Sequence, residues 1–273
     1  MRVPVALLSG LLLLAGFPAA ATAAREATTI REQRTVTVGG VRETWQLVWV
    51  GKTTPVCAAD GDDTPTCPCD GFAYGESGHL RLVRQRGGRE IERMDLGPLF
   101  SAAGLMTDDH DKDMAFLQHW PRTDGDLSLV DKGGAVTPAA VERRPAVQIM
   151  VMQDYDHDGH ATEFLLPLGS ISCGHHAYVA IGLSPGSHRL HVLTTAARPR
   201  VPLTLDLPVW QALLKAGRPT TVTAWACGDH GSDRQTDLVV SARDGAIRVR
   251  ERDLTCSENR RQKLVRESDY SWQ

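Results

Sequence analysis

An all-β or β-dominated fold, built from antiparallel hairpins as a β-sandwich or an irregular propeller, is what this sequence predicts. Three observations predict it. Short runs of β-branched, aromatic and aliphatic residues recur along the chain. Turn signals such as Arg86-Gly87-Gly88, Ser184-Pro185-Gly186-Ser187 and Arg243-Asp244-Gly245 separate them. Only one stretch, near 208–216, carries a clear helical pattern.

The elements follow in order. The first residues, MRVPVALLSGLLLLAGFPAAATAA, combine Arg2, an apolar run from Val5 to Phe17 and the small-x-small site Ala21-Thr22-Ala23. This is the pattern of a secretory signal peptide over 1–23. The run is too short for a membrane span, which needs roughly 20 apolar residues. The expectation is therefore an exported, secreted or periplasmic, single β-rich domain over 24–273, with no span in the mature chain. Thr35–Val38 and Thr44–Val50 read as strands, and Leu80–Arg84 with Arg89–Met94 as a hairpin around the Gly-Gly tip. Pro98–Ala103 has room for one helical turn. The polar stretch from Met106 to Ala146 reads as an irregular excursion with strands near Ala115–Gln118 and Leu127–Val130.

Val147–Met152 and Glu163–Leu168 read as strands on either side of an acidic loop. Ala177–Leu183 and Arg189–Thr194 flank the Ser-Pro-Gly-Ser turn. Pro208–Gly217 reads as a helix, with proline at its start, an apolar face of Trp210, Leu213 and Leu214, and a glycine stop. Thr220–Ala226, Asp237–Ala242 and Ala246–Arg250 complete the set, the last two joined by Asp-Gly.

The chain carries 30 basic and 33 acidic residues, a net charge of −3. That balance gives no case for nucleic acid or an anionic membrane surface as partner. Six cysteines (Cys57, Cys67, Cys69, Cys173, Cys227 and Cys256) in an exported chain read as disulfides. A staple of Cys57 to Cys67 or Cys69, and a bridge from Cys227 to Cys256, are plausible pairings. Zinc at Cys67-Pro68-Cys69 has the wrong spacing.

One motif carries chemistry. In DYDHDGHATEF, Asp154, Asp156 and Asp158 occupy alternate positions and Gly159 follows. Calcium takes about six to eight oxygen ligands, and a loop with Asp at positions one, three and five and Gly at six supplies them. His160 at position seven would offer its backbone carbonyl, and Glu163 is the remaining acid. The expected ligands are Asp154, Asp156, Asp158, His160 and Glu163, and the expected ion is Ca2+. An EF-hand is excluded, because position twelve is Leu165 and the flanks read as strands.

A calcium loop between strands resembles the FG-GAP/VCBS-type repeats of integrin-like propellers, whose pattern is Asp-x-Asp/Asn-x-Asp-Gly-x-x-Asp before an apolar strand. Asp154, Asp156, Asp158 and Gly159 fit it, while Glu163 lies one position late. Asp229, Asp233 and Asp237 share the one, five, nine spacing, but Gly231 and Arg234 replace the third ligand and the glycine. Thr162-Glu163-Phe164 and Thr236-Asp237-Leu238 also hint at a repeat. The resemblance implies structural calcium and a β fold over two short segments, with a second ion at 229–237 left open.

Other constellations are weaker. His175, His176, His188 and His191 lack metal-site spacing. Gly182-Leu183-Ser184-Pro185-Gly186 matches a nucleophile elbow only in letters, since Pro185 removes the backbone donor after the serine. The expected role is structural or ligand-recognising, toward a protein or glycan. The alternative is a metal-assisted hydrolase using Asp154, Asp156 or His175.

Overall fold

The computed structural model describes residues 26–56, 75–103, 113–121, 123, 125, 138–171, 175–256 and 262–271. The expected signal peptide, the strand at Leu127–Val130 and Cys57, Cys67, Cys69 and Cys173 lie outside them.

Three antiparallel sheets form the described structure, with a single parallel contact, between Thr195 and Ile247. In the first, β1 (Thr28–Val38), β2 (Val41–Val56), β3 (Gly75–Arg86) and β4 (Arg89–Asp95) run as a meander. β5 (Ala115–Gln118) pairs with the opening of β3. Two-residue turns at Gly39-Gly40 and Gly87-Gly88 join the hairpins, and all four glycines have positive φ. A turn of that hand matches the twist of the strands and suits residues without a Cβ. The second sheet holds β6 (Phe164–Ile171), β7 (His175–Leu183), β8 (Leu190–Val192) and β11 (Thr204–Asp206), with β7 at its centre. The third contains β9 (Thr194–Thr195), β10 (Arg198–Pro202), β12 (Thr220–Trp225), β13 (Arg234–Arg243), β14 (Ala246–Thr255) and β15 (Leu264–Asp269).

The second sheet is the middle layer, and β7 shows why. Ala177, Val179, Ile181 and Leu183 pack with Phe164 and Leu166 of β6 against Trp45, Leu47, Trp49 and Leu82 of the first sheet. Tyr178, Ala180 and Leu165 face the other way, toward Val240, Ile247 and Val249 of the third sheet. Alternate side chains thus enter different cores. Burial on both faces accounts for the nearly unbroken apolar runs in β6 and β7. The arrangement is a layered, sandwich-like stack with no closed barrel. The propeller alternative is not what forms, and the two repeat-like segments place β6 and β13 in different sheets.

Three helices accompany the sheets among the described residues: α1 (Gly97–Ala102), α2 (Pro138–Val141) and α3 (Leu207–Lys215). None is long and apolar enough to cross a membrane. α3 begins one residue before the expected proline, because Asp206 caps it by accepting a hydrogen bond from the Leu207 N–H. Val209, Trp210 and Leu213 are its buried face. Cys227 and Cys256 form a disulfide that ties the segment after β12 to the end of β14.

One expectation needs correcting. Val147–Met152 enters no ladder; the Val147 N–H donates to the His119 carbonyl at 2.7 Å and the Val151 N–H to that of Ile149 at 2.8 Å, and side chains of β1 supply further hydrogen bonds. The Glu32 carboxylate accepts from the N–H groups of Ile149 at 2.7 Å and Met150 at 3.1 Å. Arg31 donates to the Val147 carbonyl at 2.9 Å and Arg34 to that of Met150 at 3.2 Å. Charged side chains thereby replace a neighbouring strand in satisfying the backbone. The late strand β15, unread in the sequence, is charged because it is an edge. Its Glu267 pairs with Arg250 at 2.7 Å and its Arg266 with Asp253 at 2.9 Å.

A buried ion network bolts the first sheet to the second. Arg84 lies 2.8 Å from Glu43 and donates to Glu92 and, at 2.8 Å, to the His188 carbonyl. Arg86 and Trp45 also donate to Glu43, at 2.7 and 3.2 Å. Burial pushes the Glu43 carboxyl up, but the hydrogen bonds from Arg86, Arg84 and Trp45 outweigh it and hold the group below its ordinary 4.5. A lowered folded pKa contributes stability above the unfolded pKa, which is lost as pH falls below it. Arg84→Ala is expected to reduce the unfolding free energy by about 1.5–3 kcal/mol, because it removes charged hydrogen bonds to Glu43 and leaves that buried carboxylate with Arg86 and Trp45 as its remaining partners. It should also blunt the loss of stability below pH 4.5. Urea unfolding of both proteins at neutral and acid pH checks this; a loss below about 1 kcal/mol would contradict it.

Candidate metal centre

The acidic loop leaves the extended segment at Gln153 and enters β6 at Phe164. Gln153 and Glu163 close it as an antiparallel bridge, with reciprocal backbone hydrogen bonds of 2.7 and 3.0 Å. Inside that closure the chain turns sharply. His157 and Gly159 both take positive φ, 56° and 91°, so the expected glycine is where the turn requires it.

The turn is built by its own acids. Asp154 accepts hydrogen bonds from the N–H groups of Asp158 and Gly159, both at 3.0 Å. Asp158 accepts from the His160 N–H at 2.8 Å. The His160 carbonyl, expected as a ligand, accepts from the Thr162 N–H at 2.9 Å. Glu163 accepts from Thr162 Oγ1 at 2.6 Å and from the Tyr155 N–H at 3.0 Å.

Outside contacts hold the loop down. The N–H groups of Gly245 and Asp244 in the β13–β14 turn donate to the carbonyls of Asp156 and His157, at 3.0 and 3.1 Å. His157 Nε2 lies 3.0 Å from the Leu213 carbonyl oxygen near the end of α3. The Tyr155 ring stands edge-on to Trp210, centroids 5.5 Å apart.

Three carboxylates converge: Asp154, Asp156 and Glu163 each offer an oxygen within 4.8 Å of the others. Asp154 is half-buried, Asp156 only 1 % exposed and Glu163 fully buried. Among the described residues this is the one group of three or more metal-ligating side chains so placed. Asp158 sits close enough to act on Asp156 and Glu163 electrostatically, but it is not one of the three convergent groups. The second candidate loop does not assemble this way. Asp237 lies within β13, where it accepts hydrogen bonds from Thr223 and Gln235, both at 2.8 Å.

The electrostatics are unfavourable as they stand. No cationic side chain pairs with Asp156 or Glu163 among the described residues, and Asp156 Oδ2 is buried without a hydrogen-bond partner. Burial, then the charges of Asp158 and Asp154, pushes the Asp156 carboxyl up to about 6. Burial, then the Asp156 charge, pushes Glu163 to about 8, against the hydrogen bonds from Thr162 and Tyr155. Two such charges about 5 Å apart repel by about 3 kcal/mol at an effective dielectric of about 20. A divalent cation between them reverses the sign of that interaction. The donors are all oxygen, with no imidazole or thiolate in the group, which suits calcium over zinc.

Two glycines unread as site residues make room for this arrangement. A Cβ on Gly182 of β7 would lie 2.5 Å from Glu163 Cγ. A Cβ on Gly245, whose φ is 78°, would lie 2.6 Å from Pro185 Cγ and 3.6 Å from Asp156 Oδ2. Both sit in runs that read as ordinary strand and turn, so only the packing reveals their part.

No known protein family, no curated protein and no solved structure matches the chain.

Two outcomes are expected. Gly182→Ala forces Glu163 to move and should destabilise the protein by about 1–3 kcal/mol, read by urea unfolding; an unchanged midpoint would contradict the packing. In chelator, the folded state keeps protons on Glu163 that the unfolded chain has released. Stability should therefore fall as pH rises from the ordinary 4.5 toward about 8. Melting temperatures across that range in EGTA check the sign, and a rise with pH would contradict it.

Proposed function

We propose that the chain is an exported calcium-binding β-protein in which one ion, held by Asp154, Asp156 and Glu163, fixes the junction between the middle sheet and its neighbours. The observation that carries this reading is Asp156 Oδ2, a buried carboxylate oxygen without a partner, beside two further carboxylates. Buried charges are paired or coordinate metals. The ligand spacing in the sequence and its likeness to FG-GAP/VCBS-type loops support the same ion. The signal-peptide pattern at residues 1–23 supports export, where calcium is abundant and disulfides such as Cys227–Cys256 persist.

A structural ion is favoured over a catalytic one. A catalytic metal keeps an open position for water or substrate. Here Asp156 and Glu163 are shut off from solvent between β6, β7 and the β13–β14 turn. The ion binds only the folded loop, so it stabilises the protein by mass action.

Calcium at a free concentration about 100-fold above its Kd should add about 2.7 kcal/mol, a rise of roughly 5–10 °C in melting temperature for a chain of this size. Asp156→Asn should abolish that rise. In EGTA the same variant should melt at or above the wild type, because it removes a buried, repelled charge. Scanning calorimetry of both proteins with calcium and with EGTA tests this. A wild-type melt indifferent to calcium would overturn the reading.

A further inference from the structure

Beside the loop lies a cavity of about 410 Å³. Its walls come from the extended segment (Val147, Ile149, Val151), from the middle sheet (Leu165, Pro167, Tyr178) and from Tyr155 of the acidic loop. It opens where these parts of the chain separate. Gln153 and Glu163 form a bridge, but the residues before Gln153 are drawn away by the side chains of β1. β6 continues without them, and the gap is the cavity. Its volume lies in the range of small-ligand sites.

The chemistry of the lining narrows the ligand. Among the described residues no aspartate, glutamate, lysine or arginine lines the cavity, so nothing there neutralises an ion. The polar groups are the phenols of Tyr155 and Tyr178, the amides of Gln118 and Gln148, and the His176 imidazole. Each of these groups can both donate and accept a hydrogen bond. Neither the Tyr155 nor the Tyr178 hydroxyl has a hydrogen-bond partner among the described residues, whereas Tyr270 donates to the Thr204 carbonyl at 3.0 Å. Both tyrosines line the cavity, where their hydroxyls are open to a ligand. The remaining surface is aromatic and aliphatic. A ligand that matches is neutral, has apolar faces, and carries hydroxyl groups that both donate and accept: a sugar ring.

We infer that this cavity binds a neutral mono- or disaccharide, held by Tyr155, Tyr178 and the two glutamines. This rests in one respect on the calcium reading: Tyr155 is part of the ion loop, and its N–H donates to Glu163. The ion therefore stiffens one wall of the cavity, and chelation weakens sugar binding.

The test is isothermal titration of the calcium-loaded mature chain with D-glucose, D-galactose, D-mannose, N-acetyl-D-glucosamine and cellobiose, each to about 50 mM. At least one should bind saturably. Tyr178→Phe, which removes only a hydroxyl, should weaken that binding about threefold to tenfold. Glucose 6-phosphate and glucuronate should bind less well than their neutral parents. No saturable binding by any of the neutral sugars overturns the inference, as does binding indifferent to Tyr178→Phe. Failure of the calcium reading shows separately, as the lack of a calcium-dependent melting shift in the same sample.

Discussion

The structure turns on two carboxylates, Asp156 and Glu163, buried within a few ångströms of each other with no cationic side chain beside them among the described residues. Every neighbouring feature accommodates that pair. Gly182 leaves the space that the Glu163 side chain fills. Thr162 and the Tyr155 N–H orient the carboxylate. The β13–β14 turn closes over Asp156 through the Gly245 N–H. A fold that only needed a turn between the extended segment and β6 would not hide acids there, because the repulsion works against folding. A bound hard cation converts the same arrangement from a strain into a clamp.

The acidic loop sits where the layers meet. β6 and β7 serve both hydrophobic cores through alternate side chains, so the position of β6 sets the packing on either side. The acidic loop fixes the start of β6, touches α3 through His157 and touches the third sheet through Gly245. A second, independent bolt joins the first sheet to the turn after β7 through Arg84, Glu43 and Glu92. That network is electrically satisfied within the protein, with arginines beside the acids. The two buried acid clusters contrast: one is supplied with arginine, and the other has no cationic partner among the described residues.

Much of this was legible in the sequence. Gly87-Gly88 and Asp244-Gly245 located two of the hairpins, because such residues take the required φ easily, while the Gly39-Gly40 turn went unread. Pro208, Trp210, Leu213 and Gly217 located α3. Alternating aspartates with Gly159 located the loop, since spacing along a tight turn decides which side chains can converge. Which acids converge was less legible. Asp158 and the His160 carbonyl accept hydrogen bonds within the turn, and only Asp154, Asp156 and Glu163 bring oxygens together, a convergence that spacing alone does not reveal. Val147–Met152 has the composition of a strand, and only tertiary contacts with Glu32, Arg31 and Arg34 show that it pairs with none. Gly182 and Gly245 act through packing against distant residues, and no local pattern announces that.

The central claim is that the buried acid trio holds one hard divalent ion. Elemental analysis of the purified protein after gel filtration in chelator-treated buffer tests it most directly. The account predicts about one calcium per chain, removed by EGTA and missing from Asp156→Asn. A chain carrying no calcium, or carrying zinc in its place, would contradict it.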